Sequence, residues 1–491
     1  MDRRSFLRLG AATTAALTLG PSRWGWAAEG SPFAELQDDP ILRLPEGFSY
    51  KIVAETGDLL TAGPVPWYRP NFPDLNVVFP QPDGKLLLAS SHEVAGEVPL
   101  LPPPPSEDYD HVAGGAITTL LLDRDLNVIE GIYNVGGMLT NCSGSGTPWG
   151  TVLTGEEDVS TYEADHGFVW EVDPAGTTKV RLDSCGRFEH ETAVVDARTG
   201  WVYLTEDSGG DSLLYRMRPH VPGDLGRGGT LEAFRAPDSW VVIEDPVGSG
   251  GATPAEQGVA RGATTFARLE GGRIDGRYFY FTETEDDTAF GKVWRLSLGG
   301  PRGRDTLEIW AQGDGTSLSM PDNIVFDRAG NMFVTEDKSN ASTDDPNRLV
   351  FIDRKTGEMA TFAEVAFQFS TPEENIADEP TGPAFSPDGR VLFLNLQRQP
   401  DFGMTLAITG PFATWRGGKE RALPAARPRV TSDEDRALAG LGLPVGATAA
   451  LLALRRRGRI GSLTPDLEAL ARELGQPDEI PNPMRRSPRV S

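Results

Sequence analysis

Short apolar runs recur along this chain, and they end alike. Trp149–Asp158 reads WGTVLTGEED, Trp201–Asp207 reads WVYLTED, Tyr278–Asp286 reads YFYFTETED and Met332–Asp337 reads MFVTED. Each is a β-prone run that reaches Thr and then acid. Val77–Glu93 and Ala384–Gln397 look like worn copies of the same unit. Turn signals stand inside or before four of the six, at Asp83-Gly84, Thr199-Gly200, Arg328-Ala329-Gly330 and Asp388-Gly389. The repeating unit is therefore strand, tight turn, strand, acidic exit. Small antiparallel sheets closed around an axis make a β-propeller, so the pattern predicts an all-β fold of about six blades, within five to seven. In such a fold the innermost strands line a central channel, and the acidic exits gather at one mouth.

The rest of the chain arranges itself around that array. Gly114–Asp123 and Gly167–Asp173 read as outer or pairing strands, and residues 208–260, rich in Gly, Pro and Asp, as a long insertion over one face. The propeller is expected to occupy residues 28–415. Residues 416–491 change character: Ser432-Asp433-Glu434-Asp435 and Thr464-Pro465-Asp466 are helix starts and Gly475 a stop, which predicts a short helical tail packed on the propeller. The uncharged run Ala437–Leu454 before Arg455-Arg456-Arg457 has a rival reading as a membrane anchor, but Gly440, Gly442, Pro444 and Gly446 make it a poor single helix.

Residues 1–27 carry Arg3 and Arg4 before Ser5, Phe6 and Leu7, then a modest Ala/Thr/Leu core and small residues near Ala27. This is a twin-arginine export signal. It implies the twin-arginine translocase as a transient partner and a periplasmic or extracellular location. The formal net charge is −25, and without the four Arg and one Asp of that segment it becomes −28. Such a surplus argues against nucleic acid and anionic membranes as partners. Carboxylates converging at strand ends would repel unless cations sat among them. Nothing in the sequence calls for an oligomer, and a monomer is expected.

Candidate chemistry lies beside the repeats. Cys142 sits in Asn141–Gly146, a small-residue loop that leads to Glu156, Glu157 and Asp158. Arg187, His190 and Glu191 precede the second unit, Arg268 and Glu270 the third, Asp322 and Asn323 the fourth, and Asp378 and Glu379 the last. Oxygen ligands suit calcium, a thiolate among them suits a transition metal such as iron, and arginine offers a planar fork for a phosphoryl group. The two cysteines, Cys142 and Cys185, are a disulfide by the ordinary expectation for an exported chain, yet each borders its own polar cluster. No G-x-S-x-G elbow, P-loop or H-E-x-x-H motif is present.

The runs NCSGSGTPWGTVLTGEE, GRFEHETAVVDARTGWVYLTED, FARLEG, GKVWRL, PDNIVFDRAGNMFVTED and TGPAFSPDGRVLFLNLQ occur in that order. Together they resemble the PhoX-type alkaline phosphatase family over most of the chain. The resemblance implies a β-propeller phosphomonoesterase with a paired iron centre and associated calcium, in which a metal-bound oxygen is the nucleophile. It places the iron thiolate on Cys142 and iron-binding glutamates on Glu191 and Glu270. The phosphate-contacting arginine falls on Arg268, with Arg187 second. Glu156 and Glu157 fall in the calcium region, and Asp322, Asn323 and Glu379 match further acidic motifs. The chain departs from the family at Gly155, where members often carry cysteine, and at Cys185, where they often carry an apolar residue. Two rivals are a calcium-dependent lactonase or phosphotriesterase, which would need no thiolate, and a non-catalytic binding scaffold.

Overall fold

A computed structural model describes residues 36–60, 66–95, 109–284, 290–338, 345–366, 378–398 and 402–412. Besides a two-stranded pair of Leu59–Leu60 with Trp67–Tyr68, its strands form six antiparallel sheets in chain order around a central channel, a six-bladed β-propeller. The innermost strands are Pro73–Pro80, Asn141–Gly146, His190–Val195, Leu269–Asp275, Pro321–Phe326 and Glu379–Phe385, which open blades 1 to 6 in turn. Each pairs with the next strand of its own blade and packs beside the innermost strands of its two neighbours. The ring is closed by the start of the chain, because Ser49–Glu55 pairs with Phe402–Thr409 as the outer strand of blade 6. Leu42–Arg43 adds an edge to blade 5.

Apolar runs that show little alternation in sequence are buried on both faces, because each blade is covered by a blade on either side. In Tyr278–Glu283, Phe279 and Phe281 pack toward blade 3 with Tyr203 and Phe234, while Tyr280 turns toward blade 5 with Met332 and Val334. Blade 5 repeats the arrangement, sending Phe333 against Leu392 and Leu394 of blade 6. Period-two geometry thus splits one hydrophobic run between two interfaces.

One expectation is corrected by the fold. Residues 208–260 are for the most part ordinary blade strands: Ser212–Pro219, Gly229–Arg235 and Ser239–Val242 complete blade 3. The remainder includes the α-helix Pro254–Ala260, started by a Thr253/Glu256 capping box that went unread in the sequence. The cysteines are not joined. Both are free, and Cys185 lies among Leu182, Phe188 and Leu204 in the apolar interface between blades 2 and 3. The export signal and the C-terminal tail, including Ala437–Leu454, lie outside the described residues. Among those described, no helix is long and apolar enough to cross a membrane.

Candidate metal centre and active site

The T-E-D repeat divides its labour by alternation along the second strand of each blade. The glutamate before the mouth faces its own blade. Glu206 accepts the Leu213 N–H and the Tyr215 hydroxyl, and Glu336 accepts the Ser319 N–H and a two-pronged contact from Arg348. Glu283 accepts the Ala267 N–H and the Trp294 indole N–H. The next residue faces the channel mouth, and its N–H bonds a carbonyl at the entrance to the innermost strand. Glu93 bonds Phe72, Glu157 bonds Thr140, Asp207 bonds Glu189, Thr284 bonds Arg268 and Asp337 bonds Met320, at 2.8 to 3.0 Å. Phe72, Thr140 and Met320 hold φ of 47°, 48° and 47°. Left-handed backbone at non-glycine positions is costly and is typically kept where a site requires it.

The innermost strands bulge just inside that mouth. In blade 1 the register passes from Pro73↔His92 to Asn76↔Ser90, so Asp74 and Leu75 stand opposite Ser91 alone. The same slip releases Cys142 in blade 2, Glu191 in blade 3, Glu270 in blade 4 and Asp322 in blade 5. A bulge re-aims a side chain that regular pleating would commit to a blade face. Here it turns one donor per blade into the channel. At Gly271 a Cβ would stand 2.7 Å from the Asn323 Cα, so glycine lets two ligand-bearing strands approach.

The donors converge in three overlapping sets: Asp74, Glu93 and Cys142; Cys142, Glu157 and Glu191; Glu191, Glu270 and Asp322. Within each set the donor atoms lie within 4.8 Å of one another. Glu379 enters the same mouth, close enough to Asp337, Asp322 and Glu93 to feel their charge. Burial first, and neighbouring carboxylates second, push Asp74, Glu157, Glu191, Glu270 and Glu379 well above the ordinary carboxylate range. Glu93 is raised to about 7 and Asp322 to about 8. Burial also raises the Cys142 thiol, helped by Asp74 and Glu191.

Two guanidinium groups face this cluster. Arg268 is held by Asp207 through two bonds of 3.0 and 2.7 Å and stands 3.0 Å from Glu270 Oε1, which raises its already high pKa. About 38% of its side chain stays open. Arg273 crosses from blade 4 to the Gly144 carbonyl of blade 2 at 2.6 Å, and burial lowers it to about 10 despite Asp74 and Glu191 nearby.

Of the site residues read from sequence, Cys142, Glu157, Glu191, Glu270, Asp322, Glu379 and Arg268 come together. Asn323 sits among them, but its Oδ1 accepts the Gly382 N–H while its Nδ2 donates to Asp322 at 2.6 Å, so it orients a carboxylate. Glu156 and Arg187 stand apart. Glu156 is fully buried and bonds the N–H groups of Leu139, Gly167 and Phe168 and the His166 ring, which lies 2.7 Å away. Arg187 clasps the carbonyls of Val159 and His166. Adjacent carboxylates on one strand point to opposite faces, which is why Glu157 reaches the mouth and Glu156 does not. Glu156→Ala is therefore expected to cost about 3–5 kcal/mol of unfolding free energy by stranding His166 and three N–H groups. Folded variant should keep the wild-type metal content; urea unfolding and elemental analysis check the two halves.

Asp74, Glu93, Asp207, Asp337 and Arg273 were missed as site residues. Asp74 had a signal, since Pro73-Asp74 repeats Pro321-Asp322 at the head of an innermost strand. Gly155 also acquires a reason: a Cβ there would lie 2.5 Å from the Cβ of His190, leaving no room for a larger residue.

Fold and site together define a six-bladed propeller whose mouth gathers candidate metal donors. The family model for alkaline phosphatase PhoX matches residues 112–400, and the chain belongs to that family, whose members are metal-dependent phosphatases. A search of curated proteins gave no match. Among solved structures, PhoX of Pseudomonas fluorescens in complex with vanadate, a transition state analogue, is similar with a TM-score of 0.60 at 19% identity, over 79% of this chain and 99% of that one. A Xanthomonas campestris gluconolactonase gives 0.41 at 10% identity over 79% and 99%. The PQQ domain of Coprinopsis cinerea pyranose dehydrogenase gives 0.40 at 13% over 78% and 99%.

The carboxylate cluster makes a pH prediction for metal-free protein. Glu93 and Asp322 bind protons more tightly folded, near 7 and 8, than unfolded, where carboxyls titrate at about 4. Between about pH 4 and pH 8 the folded state then holds more protons, so stability falls as pH rises through that window. Calorimetry of chelator-stripped protein should give a lower Tm at pH 8 than at pH 5, with metal addition flattening the difference. A stripped protein that gains stability over this range would contradict the cluster.

Proposed function

We propose that this chain is an exported phosphatase that hydrolyses phosphate monoesters at the channel mouth, with iron and calcium as its metals. The observation that carries the reading is one sulfur donor set among buried carboxylates beside a half-open arginine. Fit is supported by chemistry: burial first and neighbouring carboxylates second raise these carboxyl and thiol groups, and a cation among them would favour their charged forms. Cys142, Glu191, Glu270 and Asp322 would hold the transition metal. Asp74, Glu93, Glu157 and Glu379 offer the hard oxygens that calcium prefers. When bound, such ions neutralise phosphoryl oxygens and lower the pKa of water.

The protein's own groups do the rest. Arg268 presents N–H donors toward a phosphoryl group, and the two-pronged contact to Asp207 fixes the plane of the guanidinium before substrate arrives. Arg273 places a buried positive charge close enough to Asp74, Glu191 and Asp322 to offset part of their mutual repulsion. His190, pushed down to about 3 by burial and packed at a tilt of 36° against Phe188, is held neutral.

The export reading rests on Arg3 and Arg4, as the sequence shows, and on the family to which the chain belongs. The function is tested with p-nitrophenyl phosphate at alkaline pH, before and after chelation. Monoester turnover should fall at least about 100-fold on metal removal and return with iron plus calcium. Turnover that survives complete metal removal, or lactone hydrolysis without phosphatase activity, would sink the proposal.

A further inference from the structure

We infer that the hydroxyl two residues before the mouth-facing position of the repeat is a positioning group, which ties the ligand bulge of one blade to that of the next. The inference rests on the reading of the mouth as a metal centre. It explains why the repeat is T-E-D and not simply an apolar run with acid at its end.

A bulge leaves backbone N–H and C=O groups without ladder partners, and inside a channel they must be satisfied locally. A hydroxyl can accept one bond and donate another, so a single side chain can serve two strands. Ser91 accepts the Leu75 N–H at 2.8 Å, in the bulge of blade 1, and donates to the Cys142 carbonyl of blade 2 at 2.9 Å. Thr205 accepts the Thr192 N–H at 3.1 Å in blade 3 and donates to the Glu270 carbonyl of blade 4 at 2.9 Å. Thr282 of blade 4 donates to the Asp322 carbonyl of blade 5 at 2.5 Å. Thr335 accepts the Asn323 N–H at 2.8 Å and reaches the Asp322 carboxylate at 3.3 Å.

Ser91, Thr205, Thr282 and Thr335 are fully buried, so water does not replace them. Each carbonyl served across a blade boundary belongs to a candidate ligand: Cys142, Glu270 or Asp322. The spacing of donors carried by separate blades is thus set by a hydroxyl bridge at three of the six boundaries, between blades 1 and 2, 3 and 4, and 4 and 5, while Thr335 braces the bulge of its own blade 5. Sub-ångström placement of ligands is what a metal centre demands of its support. Blade 2 has Gly155 at this position, where His190 of blade 3 occupies the space a side chain would need.

The test uses metal-loaded full-length enzyme challenged with increasing EDTA, with retained metal read by elemental analysis. Thr205→Val should lower the EDTA concentration that strips half the metal by about 10- to 100-fold. Thr205→Ser, which restores the hydroxyl, should return it to the wild-type value. Ser145→Ala is the control, since Ser145 makes a buried inter-blade bond to the Ala193 carbonyl at 2.7 Å, three residues further along from Cys142. It should lower Tm and leave EDTA resistance unchanged. Thr282→Val, which removes the bridge from blade 4 to the Asp322 carbonyl of blade 5, serves as a second variant should Thr205→Val not fold, with the same loss expected. Wild-type EDTA resistance in both Thr→Val variants, or equal loss in Ser145→Ala, overturns the inference. Wild-type protein that retains no metal instead overturns the functional reading, and this inference falls with it.

Discussion

Cys142→Ser protein is expected to fold, to lose its iron and to lose phosphatase kcat/KM by at least about 100-fold, since even supporting groups around metal ligands are worth 10- to 100-fold. The substitution is nearly isosteric. Its backbone role is independent of sulfur, because the Cys142 carbonyl is held by Ser91. What changes is the donor: a soft thiolate becomes a hard, far less acidic hydroxyl. Cys142 is shared by two of the three donor sets, so its loss uncouples Asp74 and Glu93 from Glu157 and Glu191. Iron per chain and kcat/KM with p-nitrophenyl phosphate are read on the same preparation. Retained activity and metal in this variant would favour an oxygen-only calcium hydrolase.

Arg268→Ala should lower kcat/KM by about 100- to 1,000-fold, or roughly 3–4 kcal/mol of transition-state stabilisation, while metal content stays near wild type. The guanidinium lies beside the donors without offering one to a cation, and Asp207 already fixes its orientation. Removal therefore takes away donors for phosphoryl oxygens. Arg268→Lys should recover little, because an ammonium cannot keep both bonds to Asp207 and still present a planar fork. Steady-state kinetics with elemental analysis decides the point; a variant that turns over as wild type does would remove Arg268 from the chemistry.

The fold was legible because the repeat is a physical unit. Runs such as YFYFTE and MFVTE are buried on both sides between blades, and their similarity survives in sequence as apolar stretches with fixed endings. The donors on innermost strands were legible where a distinctive residue marked them, as Cys142 did, or where the family resemblance carried Glu191 and Glu270. The distinction between Glu156 and Glu157 needed the pleat, and the bulges that free Asp74 and Asp322 needed the register of paired strands. Neither is written in spacing alone. Arg273 was hidden for another reason: it crosses to blade 2 over a boundary that no local pattern defines. Blade 3's outer strands read as an insertion because Gly and Pro in their turns outweighed the short apolar runs Leu213–Tyr215 and Trp240–Val242.

We propose that the sulfur of Cys142 and the bulge carboxylates hold one metal centre at the channel mouth. Iron-edge X-ray absorption of protein as purified, beside the Cys142→Ser variant, addresses it most directly. Iron should be present in the wild-type protein with a sulfur atom bound to it, and that sulfur signal should be lost in the variant. Iron surrounded by oxygen alone in both proteins, or no iron in either, would contradict it.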